Sequence, residues 1–102
     1  DLDGALIETT YALDTLNLDG ILMLSNVGGH YAGDPDNDDL FAELNRRNSV
    51  VYVHPSDPPD QGVPASIRFP IDTAMETVRA VMRLLYGRVF ERNPKKRFIF
   101  SH

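Results

Sequence analysis

Two histidines stand at the ends of apolar, β-favouring runs. His54 closes Ser49-Val50-Val51-Tyr52-Val53-His54-Pro55, and His102 closes Arg97-Phe98-Ile99-Phe100-Ser101-His102. An uninterrupted β-branched and aromatic run reads as a strand buried on both faces. Pro55 has no N–H and cannot continue a hydrogen-bonded ladder, so the first strand stops just after its imidazole. Each imidazole therefore sits where a parallel strand emerges at its carboxyl end, the edge at which α/β folds bind ligands and place chemistry. An imidazole there is equipped for proton transfer or for metal ligation. The pattern alone leaves open a core-edge histidine satisfied by a backbone carbonyl.

The elements that would hold these residues follow from periodicity. Leu2, Ala5, Leu6, Ala12, Leu13 and Leu16 keep one face of a helix apolar, and Asn17 can take the left-handed conformation that ends it. A short turn at Leu18-Asp19-Gly20 leads into the buried run Ile21-Leu22-Met23-Leu24. Residues 25–39 are polar and rich in glycine and aspartate. A helix is expected from about residue 40 to 47, with Leu40, Phe41 and Leu44 inward, Asp38 or Asp39 capping its start, and Arg46 and Arg47 at its negative end. Residues 56–70 read as a loop, because Pro58, Pro59, Pro64 and Pro70 oppose regular structure. Thr73-Ala74-Met75-Glu76 has the form of a capping box, and Ala74, Val78, Val81, Met82, Leu85 and Val89 follow as a helical stripe, with Met75, Met82 and Leu85 read as core. Gly87 is expected to interrupt that helix and Asn93-Pro94 to end its continuation. Helix alternating with buried strand predicts an α/β chain with a parallel sheet, either an arc of a (β/α)8 barrel or part of an open doubly wound sheet.

Composition narrows the class. The 102 residues give room for one small domain or a piece of a larger one, and the first and last residues predict an internal segment. A net charge of −5 provides no basic patch for nucleic acid. Without cysteine there is neither a disulfide framework nor a thiolate metal site, which suits a reducing, cytoplasmic setting. No apolar run approaches the roughly 18 residues of a membrane span.

Several words occur together and in order: Ser25-Asn26-x-Gly28-Gly29-x-Tyr31-x-Gly33-Asp34-Pro35, Glu43-Leu44-Asn45-Arg46-Arg47, Val51-Tyr52-Val53-His54-Pro55, Phe69-Pro70-x-Asp72-Thr73, and the closing Arg97 to His102 run. Linked in this way the chain resembles the amidohydrolase-related family, and within it the branch of aminocarboxymuconate-semialdehyde and aromatic-acid decarboxylases. The resemblance implies a partial (β/α)8 barrel of the metal-dependent hydrolase type, about strands four to six with their helices. Residues 1–102 would then be an internal fragment of one barrel domain, with no second domain. It further implies a divalent metal, zinc before manganese, with His54 as a metal ligand and His102 as the catalytic histidine, or as a second metal ligand in hydrolytic relatives. The family's first-strand His-x-His pair and last-strand aspartate have no counterpart here. On this reading Tyr52, His54, Phe98 and Phe100 line the inner face of the barrel.

The resemblance also suggests that the loop carrying His30 and Tyr31 lies over the metal site and contacts substrate; an exposed loop histidine is the plain alternative. Gly28, Gly29 and Gly33 fit neither G-x-G-x-x-G nor a Walker pattern. Asp34, Asp36, Asp38 and Asp39 fail the calcium-loop test, since Asp39 stands at the turn-glycine position and Asn45 at that of the bidentate glutamate. Asp57 is a turn-former or a residue that orients a ligand from behind. The implied function is decarboxylation of a small aromatic or unsaturated carboxylic acid. The alternatives are a metal-dependent hydrolase of a cyclic amide, lactone or ester on the same scaffold, and a flavodoxin-like binding domain. A homodimeric parent is left open.

Overall fold

The computed structural model describes residues 1–59 and 64–102. In chain order the elements are α1 (Leu2–Thr10), a π-helical turn (Tyr11–Thr15), β1 (Gly20–Leu24), short strands β2 (Asn26–Val27) and β3 (His30–Tyr31), α2 (Asp38–Arg46), β4 (Val50–His54), α3 (Ala65–Tyr86), α4 (Val89–Arg92) and β5 (Arg97–Phe100). The sheet has the order β1-β4-β5 and is parallel throughout. Asn17 ends the first helical segment at φ 54°, the left-handed conformation its side chain tolerates.

Register decides which side chains share a face. Ile21 and Met23 lie level with Val51 and Val53, which lie level with Phe98 and Phe100. That face packs on the helices, where Phe41, Leu44, Ala80, Leu84 and Val89 complete the core. Leu22, Tyr52 and Ile99, with Leu24 and His54, occupy the opposite face. Phe98 and Phe100 therefore belong to the helix side, a correction to the inner-face placement, because strict alternation puts them in line with Val51 and Val53. Phe98 meets Phe90 edge-on at 4.8 Å and Phe41 at 5.9 Å.

The polar stretch after β1 is more structured than its composition suggests. β2 and β3 form a hairpin whose turn is Gly28-Gly29, with φ of 60° and 87°. Two successive positive φ values are what a tight hairpin turn requires and what glycine supplies without strain. Further on, the loop backbone presses against α3. A Cβ on Gly33 would stand 2.4 Å from the Arg83 carbonyl carbon, so only glycine fits.

α2 buries Leu40, Phe41 and Leu44 as its periodicity predicts. It begins at Asp38, so Asp38 and Asp39 lie in the first turn while Asn37 holds the cap position, its amide spent on the Tyr31 and Ala32 carbonyls. Asp38 instead takes a two-pronged ion pair from Arg92 at 2.8 Å. Hydrogen bonds from Arg46 and Arg47 hold the Glu43 carboxyl well below its usual range, to about 2.

The largest departures concern α3. It starts at Ala65, so the expected loop gives way to helix, although residues 60–63 of that loop lie outside the described residues. Pro70 is inside the helix; the carbonyl it leaves unpaired and crowds, four residues back, belongs to the first turn, where the disruption is confined. Thr73 and Glu76 are therefore mid-helix and form no capping box. The face turned to the sheet is Glu76, Thr77, Ala80 and Leu84, all buried, whereas Met75, Val78, Met82 and Leu85 are 41–51% exposed. Periodicity located an apolar stripe but not the side that meets the core. Gly87 follows the last residue of α3 and Asn93 that of α4, as foreseen.

Lys96, just before β5, is 6% exposed, its Nζ 3.9 Å from the centre of the Phe41 ring. The ring faces offset part of the cost of burying an ammonium, but desolvation dominates, helped by Arg92, and lowers its pKa to about 7. Below that value both folded and unfolded chains carry the proton and the burial cost is complete. Between about 7 and the ordinary lysine value of 10.5 the unfolded chain holds a proton that the folded one has released, so stability rises with pH. Urea midpoints of the full-length protein between pH 7 and about pH 9 are expected to climb more steeply with Lys96 than in Lys96→Met. Equal slopes would show that the amine is not held neutral.

Candidate functional site

The carboxyl ends of adjacent strands β4 and β5 bring His54 and His102 together, rings 5.3 Å apart at 87°. His54 is half-buried. Its Nδ1 lies 2.7 Å from the Pro55 carbonyl oxygen. A carbonyl only accepts, so Nδ1 carries the proton and Nε2 is left as the electron-pair donor. The backbone bond that the sequence offered as a rival explanation for His54 exists, and it is also the outer contact that orients a metal-ligating imidazole. Both histidines line a cleft of about 350 Å³, walled by Arg68, Phe69, Asp72 and Thr73 from the first turns of α3.

Two imidazoles in one cleft with a carboxylate suit a borderline cation such as zinc, and Asp72 Oδ2 is buried in the cleft wall without a hydrogen-bond donor. Among the described residues no three histidine, aspartate or glutamate side chains cluster closely enough to form a complete site. His54 and His102 can therefore supply part of a ligand set.

His30 is placed apart. It sits on the hairpin, 3.6 Å from Asp36 with both side chains largely exposed, and borders a different cavity of about 860 Å³ between α1 and the free side of β1. Tyr31 is 5% exposed, and its hydroxyl donates to Glu76 Oε1 at 3.0 Å. Burial, reinforced by that carboxylate, raises the phenol pKa and keeps it a donor. Asp57 contributes its backbone carbonyl, which accepts from Asn26 at 3.0 Å.

A polar latch that sequence reasoning missed holds the turn after His54. The Ser56 N–H donates to Ser25 Oγ at 3.0 Å, and Ser56 Oγ donates to the Asn26 carbonyl at 2.8 Å. That spends the single hydroxyl proton of Ser56, so in the 3.0 Å contact between the two hydroxyls Ser25 is the donor. Asn26 Nδ2 also donates to Glu76 Oε2 at 2.7 Å. The signal was present in the Ser25-Asn26 word, but nothing in the sequence named its partners.

The Amidohydrolase family model matches residues 1–102. Decarboxylase macB of Penicillium terrestre is 35% identical over 109 residues, covering 99% of this chain and 32% of that protein. The 6-methylsalicylic acid decarboxylase of Penicillium expansum is 34% identical over 106 residues, covering 100% of this chain and 33% of its own length. The crystal structure of 2,6-dihydroxybenzoate decarboxylase complexed with 2,6-dihydroxybenzoate superposes with a TM-score of 0.80 at 23% identity, over 100% of this chain and 35% of that one. The chain thus spans about a third of the length of the relatives it matches.

Proposed function

The chain belongs to the amidohydrolase family, and its sheet and helices are an arc of a (β/α)8 barrel; from that premise we propose that it is part of a metal-dependent decarboxylase acting on an aromatic or unsaturated carboxylic acid. The observation that carries the reading is the convergence of His54 and His102 in one cleft at the carboxyl ends of neighbouring strands, in a chain similar to decarboxylases over its whole length. A bound metal supplies positive charge that holds and polarises substrate oxygens. His54 offers Nε2 to it. His102 donates a proton to the ring carbon that bears the carboxylate. The carbon–carbon bond then breaks, its electron pair returns to the ring, CO2 departs, and solvent restores the imidazole proton. Arg68 and Phe69 offer a guanidinium for the carboxylate and a ring for the substrate's ring; Phe69 is 76% exposed at the cleft. The reading includes zinc in preference to manganese, a single barrel domain and a cytoplasmic setting.

The full-length protein, loaded with zinc and offered a panel of small aromatic acids, is expected to release CO2 in stoichiometric amount with the decarboxylated ring. Opening of a cyclic amide, lactone or ester without CO2 would overturn this in favour of the hydrolase.

A further inference from the structure

Glu76 and Thr77 are consecutive residues on α3, both buried, and each reaches one of the two strand ends that carry a histidine. The Glu76 carboxylate is fully buried and accepts from Asn26 at 2.7 Å, Tyr31 at 3.0 Å and Arg79 at 2.5 Å. Through the second bond of the Asn26 amide, to the Asp57 carbonyl, and through the Ser25–Ser56 latch, it fixes the turn immediately after His54. The Thr77 hydroxyl donates to the Ser101 carbonyl at 2.9 Å, next to His102. Neither side chain lines the cleft.

We propose that Glu76 and Thr77 are positioning residues that set His54 against His102, Glu76 governing the His54 side and Thr77 the His102 side. This rests on the reading of His54 as a metal ligand and His102 as the proton donor. One rigid helix then determines the relation between two groups carried by separate strands, and it does so through buried bonds that solvent cannot replace. Burying a carboxylate is costly unless its oxygens are paired, and all three donors to Glu76 are provided. Thr77 could pack as valine with no loss of volume; what the hydroxyl adds is its hydrogen bonding, at 2.9 Å to the Ser101 carbonyl and more weakly at 3.3 Å to the Thr73 carbonyl of its own helix.

The test uses the zinc-loaded full-length protein, with zinc affinity measured by chelator competition alongside kcat and KM. Glu76→Gln keeps the size of the side chain but replaces one accepting oxygen with an amide NH2 that must face donors. It is expected to weaken zinc binding by about 10–100-fold, the range typical of outer-shell partners. Thr77→Val is expected to keep zinc and KM while lowering kcat by about tenfold, with Thr77→Ser restoring it. Tyr31→Phe removes one donor to the same carboxylate and should shift zinc affinity in the same direction by less, which keeps the proposal testable if Glu76→Gln does not fold. Val89→Ala, a core truncation away from the cleft, serves as the destabilised control and should leave both quantities unchanged at a temperature where it is folded.

Unchanged zinc affinity in folded Glu76→Gln, or in Tyr31→Phe where the former fails to fold, would overturn the Glu76 role. Equal losses in Val89→Ala, or no rescue by Thr77→Ser, would reduce the pair to general stability. His54→Ala separates the two levels of inference. If it keeps zinc, the ligand reading fails; if it loses zinc while Glu76→Gln does not, only the positioning role fails.

Discussion

In the full-length protein, His54→Ala is expected to lose metal and His102→Ala to lose turnover while keeping metal. The split follows from the different surroundings of the two rings. His54 is half-buried and its Nδ1 proton is committed to the Pro55 carbonyl, so its remaining nitrogen is held in a fixed direction suited to a cation. Removing it takes away a ligand and should weaken zinc beyond the roughly 10–100-fold cost of losing an outer partner. His102 is exposed, which suits a group that must exchange protons with solvent in each cycle. Its loss should lower kcat by about 10²–10⁴-fold, the usual worth of a positioned acid or base. Metal analysis after dialysis, together with CO2 release, reads both effects. Full metal and activity in His54→Ala would remove the ligand assignment, and loss of metal from both variants would make His102 a second ligand.

The histidine pair was legible because its signal is local: an apolar run closed by an imidazole in both strands, with Pro55 stopping the first. Parallel pairing of β4 and β5 follows from the helix between them, and with it the meeting of their ends. Glu76 was not legible in the same way. Its spacing from Thr73 imitates a capping box, and only the three-dimensional path of α3 reveals that the helix began earlier, at Ala65, and that the carboxylate faces inward. The same cause misplaced Met75, Met82 and Leu85. A period of 3.6 shows that a stripe is apolar, but what covers it depends on the sheet and its neighbours. Here the sheet-facing side is mixed, because two of its positions, Glu76 and Thr77, are spent on holding loops. Phe98 and Phe100 were placed on the wrong face for a related reason: a short run of apolar residues fixes a strand without fixing its phase. The hairpin at Gly28-Gly29 escaped notice because strands as short as β2 and β3 carry no period at all.

The 102-residue segment produced by itself is expected to show no catalysis and no stable monomeric fold. β1 and β5 each have one side without a partner strand in the described sheet, and such edges invite pairing with other chains. The sheet face opposite the helices carries Leu22, Leu24 and Ile99 at 60%, 43% and 50% exposure, with Tyr52 and His54 between them. In a closed barrel that face is packed by side chains from the facing strands. The outer stripe of α3 adds Met75, Val78, Met82 and Leu85 to the apolar surface left in water. Chains of this size already bury a modest fraction of their surface, so an uncovered sheet face removes much of what offsets chain entropy. Zinc offers little rescue, because the cleft brings together two imidazoles where a stable site takes about three or four ligands. Size-exclusion chromatography, calorimetry and amide NMR of the peptide should therefore report aggregation or loose packing and weak zinc binding. A monodisperse monomer with a sharp thermal transition, unmoved by chelator, would show that the helix-backed face alone is enough to hold the sheet.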